Sequence, residues 1–129
     1  MAIDLDDLDA GTRAFLHERH LATLTVLRGD GTPHVTPVGF SYDEGARLAR
    51  VITFAGARKV HHLGSRSRAA LSQVDGPRWL TLEGEATVTD EPDRVAAAEQ
   101  GFAERYRPPH ERDDRRAIEI RVDRIMGRA

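Results

Sequence analysis

The only lysine of the chain, Lys59, stands in RVITFAGARKVHHLGSRSR, residues 50–68, in a sequence that otherwise uses eighteen arginines. Positions 46–68 hold six basic residues and two histidines with no Asp or Glu, although the formal net charge is −2. A lysine just beyond a strand, opening a short helix, joins a point charge to backbone N–H groups, and that pairing suits a phosphate. Arg50 and Thr53 on the preceding strand add a guanidinium fork and a hydroxyl. Spacing alone leaves two readings open: an anion cradle, or solvated surface charges, which is the commoner fate of a charge run.

Other chemistries find less support. His61 and His62 are adjacent, so on a helix they point roughly 100° apart and do not grip one metal. His17 and His20 have zinc-compatible spacing but no third ligand nearby. His34 has no Ser, Cys or Asp at triad spacing, and Glu83 with Glu85 reads as a solvent-facing row. The chain has no cysteine, which removes disulfides, thiolate metal sites and cysteine nucleophiles. G-x-G-x-x-G, P-loop and H-E-x-x-H patterns are also missing. A catalytic acid or base is not visible in the sequence, and a bound redox cofactor could supply the reactivity instead.

Patterning indicates the elements that position these residues. Residues 8–20 predict a short helix, with Leu8, Thr12, Phe15 and Leu16 on one face. Residues 21–28 and 33–42 read as a hairpin around Asp30-Gly31. Pro33 and Pro37 cannot donate to a ladder, so the second strand is expected at an edge, where a ligand can reach backbone groups. A turn at 42–47 leads to a strand over 48–55, a short helix in ARKVHHLGS closed by Gly64, and a strand over 68–76. A long strand over 78–90 is expected to bulge at Gly84. An acid-and-proline start predicts a helix over 90–106, with Val95, Ala98, Phe102 and Tyr106 on one face. A polar loop, 107–116, and a last strand over 117–125 complete the order. Six strands with isolated helices fit a small, mainly antiparallel β-barrel rather than a doubly wound sheet.

The 129 residues are expected to form a single domain, 1–129. Near-neutral charge gives no global attraction to nucleic acid or to an anionic membrane. No stretch approaches the roughly 20 apolar residues of a membrane span, and MAIDLDDLDA is unlike a secretory signal, so a cytoplasmic location is expected. The arginine, alanine and glycine usage points to a GC-rich genome.

LATLTVLRGDGTPHVTPVGFSYD, RVITFAGARKVHHL and LSQVDGPRWLTLEGEATVTDEP, in this order and spacing, resemble the pyridoxamine 5′-phosphate oxidase-like split β-barrel superfamily. Within it they resemble the actinobacterial deazaflavin-dependent reductases, and SQVDGPRWLTLEG points to the biliverdin-reducing branch. The resemblance spans about residues 8–126. It implies a homodimeric six-stranded split barrel with cofactor sites along the subunit interface. It also implies that Lys59, Arg50 and Thr53 hold the cofactor phosphate, while Thr36, Pro37 and Val38 line its ring. Gln73, Arg78 and Trp79 would approach from the partner chain or the sheet edge, and Arg58, Arg66 or Arg68 would meet an anionic tail. Relatives often carry Asn three residues after the lysine, where this chain has His62.

The resulting expectation is an enzyme that uses coenzyme F420 to reduce a conjugated acceptor, biliverdin to bilirubin, with flavin mononucleotide as the alternative cofactor. A flavin or tetrapyrrole carrier without turnover is the reading from a different class.

Overall fold

The computed structural model describes residues 2–64 and 66–129; Ser65, the end of the expected short-helix segment, lies outside the described residues. In chain order the elements are β1 (Ala2–Ile3), α1 (Ala10–His17), β2 (Ala22–Leu27), β3 (Pro33–Val38), β4 (Ser41–Asp43) and β5 (Leu48–Phe54). There follow α2 (Arg58–Leu63), β6 (Ser67–Asp75), β7 (Arg78–Thr89), α3 (Pro92–Arg105) and β8 (Arg115–Arg128). Asp9 caps α1 by accepting from the Thr12 N–H at 2.7 Å, which satisfies one free donor of the first turn. Pro92 opens α3, where its missing N–H costs nothing, and Asp93 complements the helix dipole.

All strand pairs are antiparallel, and the ladder runs β3-β2-β6-β7-β8-β5-β4, with β1 added to β8. The two ends of this path, β3 and β4, are joined by Gly39 and Phe40 alone. Three Cα steps from Val38 to Ser41 reach at most about 11 Å, so the sheet has to curl until its ends nearly meet. Alternate residues of the strands, among them Leu24, Val38, Val51, Leu71, Leu82 and Ile120, accordingly share one buried core with Phe15 of α1 and Leu63 of α2. No ladder joins β3 to β4, so the rolled sheet is open along that seam.

The six expected strands are all present, and two short ones raise the number among the described residues to eight. The 33–42 run breaks at Gly39-Phe40, and its remainder, β4, crosses the seam to pair with β5, taking Tyr42 out of the expected turn. β1 forms because the end of β8 offers backbone partners at Ile125 and Met126. β8 outruns its apolar pattern for the same reason: Arg115 pairs with Phe54 and Arg128 with Trp79, whatever their side chains. β3 lies at an edge, as its prolines require, and the β7–β8 register shifts at Glu83/Gly84, where a bulge is expected. α3 lies outside the roll, with Val95 and Ala98 packed on Ala117 and Ile52.

Candidate functional site

Lys59 lies in the first turn of α2, half-buried, and burial lowers its pKa because no carboxylate compensates the ammonium. Thr53 faces inward at 3% exposure, and its Oγ1 is buried without a hydrogen-bond partner. Both residues line one cleft of about 500 Å³. Ile52, Phe54 and Phe102 give the cleft apolar surface, and the 107–116 loop gives it Arg107, Arg112 and Arg115. The Arg112 guanidinium sits 4.2 Å over the Phe54 ring and is bonded to Asp114, while Arg115 pairs with Glu99 at 3.4 Å. An uncompensated ammonium, an unpaired hydroxyl and flat apolar walls suit an anionic, planar guest. With only six residues, α2 contributes little dipole, so the positive charge of the cleft comes from Lys59 and the loop arginines, of which Arg112 and Arg115 are already paired, and Glu111 lines the same cleft.

The structure does not bring Arg50 to this cleft. Arg50 pairs with Asp43 at 3.4 Å in a separate cavity of about 470 Å³ under α3. In β3, Pro37 is exposed, Thr36 is half-exposed, and Val38 turns into the core at 8% exposure. This strand adjoins the cleft through Gly39, where a Cβ would come within 2.9 Å of the Phe102 ring. Arg58 is exposed on α2. Gln73 is buried and committed internally: its Nε2 donates to the Phe15 carbonyl at 2.8 Å and its Oε1 accepts from Arg105 at 2.6 Å. Arg78 is likewise engaged, donating to both Glu18 oxygens at 2.8 and 3.0 Å and to Asp75. The Arg78 bond, with that of His20, holds the Glu18 carboxyl down at about 2. Glu18, His20 and Asp75 bring ligand-type atoms within 4.8 Å of one another, but Arg78 already neutralises both carboxylates.

Trp79 is half-buried opposite Val74 on the outer face of the sheet. The same face carries Thr25 opposite Val35, and Leu27 opposite Pro33. Leu21, Val35 and Val74 are more than half exposed there, at 65%, 56% and 68%.

Sequence reasoning missed the residues that hold the seam. Arg105, 9% exposed, donates to the carbonyls of Glu18 at 2.7 Å and Phe40 at 2.8 Å, besides Gln73. The Tyr106 hydroxyl donates to the His20 carbonyl at 2.6 Å and accepts from the Phe40 N–H at 3.2 Å. The helical pattern marks Tyr106 as inward-facing, but an arginine at a helix end carries no signal of such burial. The arginines of 107–116 read as loop polarity because their companions in the cleft are distant in sequence.

A family model described as pyridoxamine 5′-phosphate oxidase matches residues 8–128. A biliverdin reductase of Mycobacterium tuberculosis (strain CDC 1551 / Oshkosh), dependent on reduced F420, is 49% identical over 116 residues, covering 90% of this chain and 85% of its own. The fold matches a conserved hypothetical protein of Mycobacterium tuberculosis with a TM-score of 0.74 at 22% identity, covering 94% of this chain and 84% of that one. It also matches an F420 reductase with a TM-score of 0.70 at 24% identity, covering 92% of this chain and 98% of that one.

Proposed function

Because the chain belongs to the pyridoxamine 5′-phosphate oxidase family, we propose that it is a coenzyme F420-dependent oxidoreductase that reduces biliverdin to bilirubin. The observation that carries the reading is the cleft in which Lys59, half-buried and in no ion pair, stands beside the unpaired hydroxyl of Thr53. That donor set fits an anionic cofactor group: the ammonium neutralises a phosphate and the hydroxyl donates to it. Coenzyme F420, when bound, supplies the hydride. Everything else is binding and orientation by this chain. Ile52, Phe54 and Phe102 exclude water from the apolar part of the cleft. The outer edge of β3, at Thr36–Val38, has backbone groups free of a strand partner and holds the ring edge. Arg58 and the cleft arginines of 107–116 collect carboxylates of the cofactor tail or of the acceptor propionates. Holding donor and acceptor in near-attack contact contributes several kcal/mol of the barrier reduction, up to about 7–11.

The working form is a homodimer in which a second copy covers the outer face around Val35, Val74 and Trp79. An exposed apolar sheet face of this kind marks an interaction surface. Trp79 lies on that face, where it approaches the partner's cleft, whereas Arg78, adjacent on the strand, points the other way and stays bonded to Glu18 and Asp75. The chain forms one domain, 1–129, each copy contributing a cleft that its partner completes, and a reductase of this kind works in the cytoplasm. Among the described residues, no helix is long and apolar enough to cross a membrane.

Anaerobic mixing of the protein with reduced F420, with and without biliverdin and beside an identical trial with reduced flavin mononucleotide, tests the function. Biliverdin-dependent re-oxidation of the deazaflavin alone is the expected result. Turnover with the flavin alone overturns the cofactor, and binding of biliverdin without turnover of either reductant makes the protein a carrier.

A further inference from the structure

The face of α2 that carries Lys59 carries His62 one turn later, because positions three apart share a side of a helix. The His62 ring centroid lies 5.1 Å from that of His34 on β3 and 5.7 Å from that of His61. Nδ1 of His34 is buried and has no hydrogen-bond partner. The groups that act on His62 from the surrounding elements are His34 of β3, Arg28 at the end of β2, and His61 and Arg58 of α2. None of these is an acid. Asp30, in the turn beside Arg28, is spent on Thr32, accepting from its N–H at 3.0 Å and its hydroxyl at 2.6 Å. The groups acting on His62 are therefore imidazoles and guanidiniums, one helical turn from Lys59; Asp30 interacts with Arg28, but no acid acts on His62 itself.

Burial and the neighbouring positive groups lower the His62 pKa, which disfavours its imidazolium in the free protein. An arriving anion reverses the second effect, and the imidazolium becomes the favoured form. We propose that His62 and His34 extend the Lys59 cradle into a proton-coupled anion receptor, which takes a phosphate or carboxylate group and binds a solvent proton with it. The identity of the natural anion rests on the F420 reading; the anion chemistry of the two histidines does not. The carboxylates of the cofactor tail, the cofactor phosphate and the acceptor propionates share this chemistry.

Two measurements test the inference. The first follows the imidazole protons of the full chain by NMR through a pH titration, with and without inorganic phosphate. The expected result is that phosphate raises the His62 midpoint, and that His34→Gln reduces the rise. Midpoints for both histidines that ignore phosphate overturn the inference. The second measures F420 affinity between about pH 8 and about pH 6. Affinity is expected to increase as pH falls, by up to tenfold per pH unit for one proton taken up. The slope is expected to flatten in His62→Gln and, independently, in His34→Gln. A pH-independent Kd in the wild type, or a slope unchanged in both variants, overturns the inference. Equal slopes for F420 with and without its glutamates assign the phosphate. A slope seen only with the glutamates assigns the tail, and one that appears only in biliverdin KM and disappears with its dimethyl ester assigns the propionates. If phosphate moves the histidines while F420 fails to bind at any pH, the receptor stands and the cofactor reading falls.

Discussion

Arg105 donates to the carbonyl of Phe40 at 2.8 Å, which ties the end of α3 to the two-residue link where the rolled sheet opens. The guanidinium also lies 4.7 Å over the Phe40 ring, and its other bonds reach Glu18 and Gln73. Arg105→Met keeps the bulk but leaves buried acceptors unpaired, so urea unfolding is expected to show a loss of about 3 kcal/mol. A loss below about 0.5 kcal/mol would show that the seam is held by packing alone.

Lys59 stands half-buried and in no ion pair, so its charge is a cost in the free protein and a benefit only when an anion arrives. Lys59→Met is expected to leave the free protein at least as stable, while F420 affinity falls about 10- to 100-fold, the worth of one charge-assisted bond. Thermal unfolding with and without F420 separates the two effects. Equal affinity in wild type and variant removes Lys59 from the cradle.

How far the sequence revealed this can be followed through Thr53, Lys59 and Arg50. Lys59 and Thr53 share a cleft because a strand end and the following helix are local features, set by Gly56 and the patterns around it. Arg50 fails to join them because Asp43, brought beside it by the pairing of β4 with β5, holds its guanidinium in the cavity under α3, a partner the sequence does not announce. The edge position of β3 was legible in Pro33 and Pro37, and the bulge in Gly84. The crossing of the seam by Tyr42 was not, since it depends on what β5 offers as a partner. Nor was the loop 107–116 legible as a cleft wall, because Phe54, under Arg112, lies more than fifty residues earlier.

At Gly84 the β7 backbone runs so close to β8 that a Cβ would lie 2.0 Å from the Arg121 carbonyl oxygen. Neither backbone can yield without disturbing the ladder on both sides of the bulge. Gly84→Ala is therefore expected to cost about 1–3 kcal/mol in denaturant unfolding, a cost typical of overpacking. Gly56→Ala, where a Cβ meets nothing within 4 Å, is the control and is expected to change stability by less than about 0.5 kcal/mol.

Glu18 is held at about 2 by the Arg78 bond and then by His20, against 4.5 for an unperturbed carboxyl. A carboxyl depressed in the folded state stabilises above its unfolded value, and that contribution drains away as pH falls from 4.5 towards 2. The wild type should lose this part of its stability across that window, while Glu18→Gln should show a flatter acid limb. Parallel acid limbs for the two proteins would show that the exposed pair is screened to nothing.

The homodimer is tested on the outer face, where Val74 is 68% exposed opposite Trp79. A charge placed at so exposed a position changes monomer stability little, so Val74→Asp probes association rather than folding. In a covered apolar interface the same carboxylate is desolvated without a partner, which costs several kcal/mol and favours the separate chains. Sedimentation velocity is expected to give a dimer for the wild type and a concentration-dependent shift to monomer for Val74→Asp, with unchanged secondary structure by circular dichroism. If the partner also completes the cleft, F420 affinity should fall in step with the dimer fraction. A wild type that sediments as a single chain while turning over biliverdin would show that one chain holds the whole site.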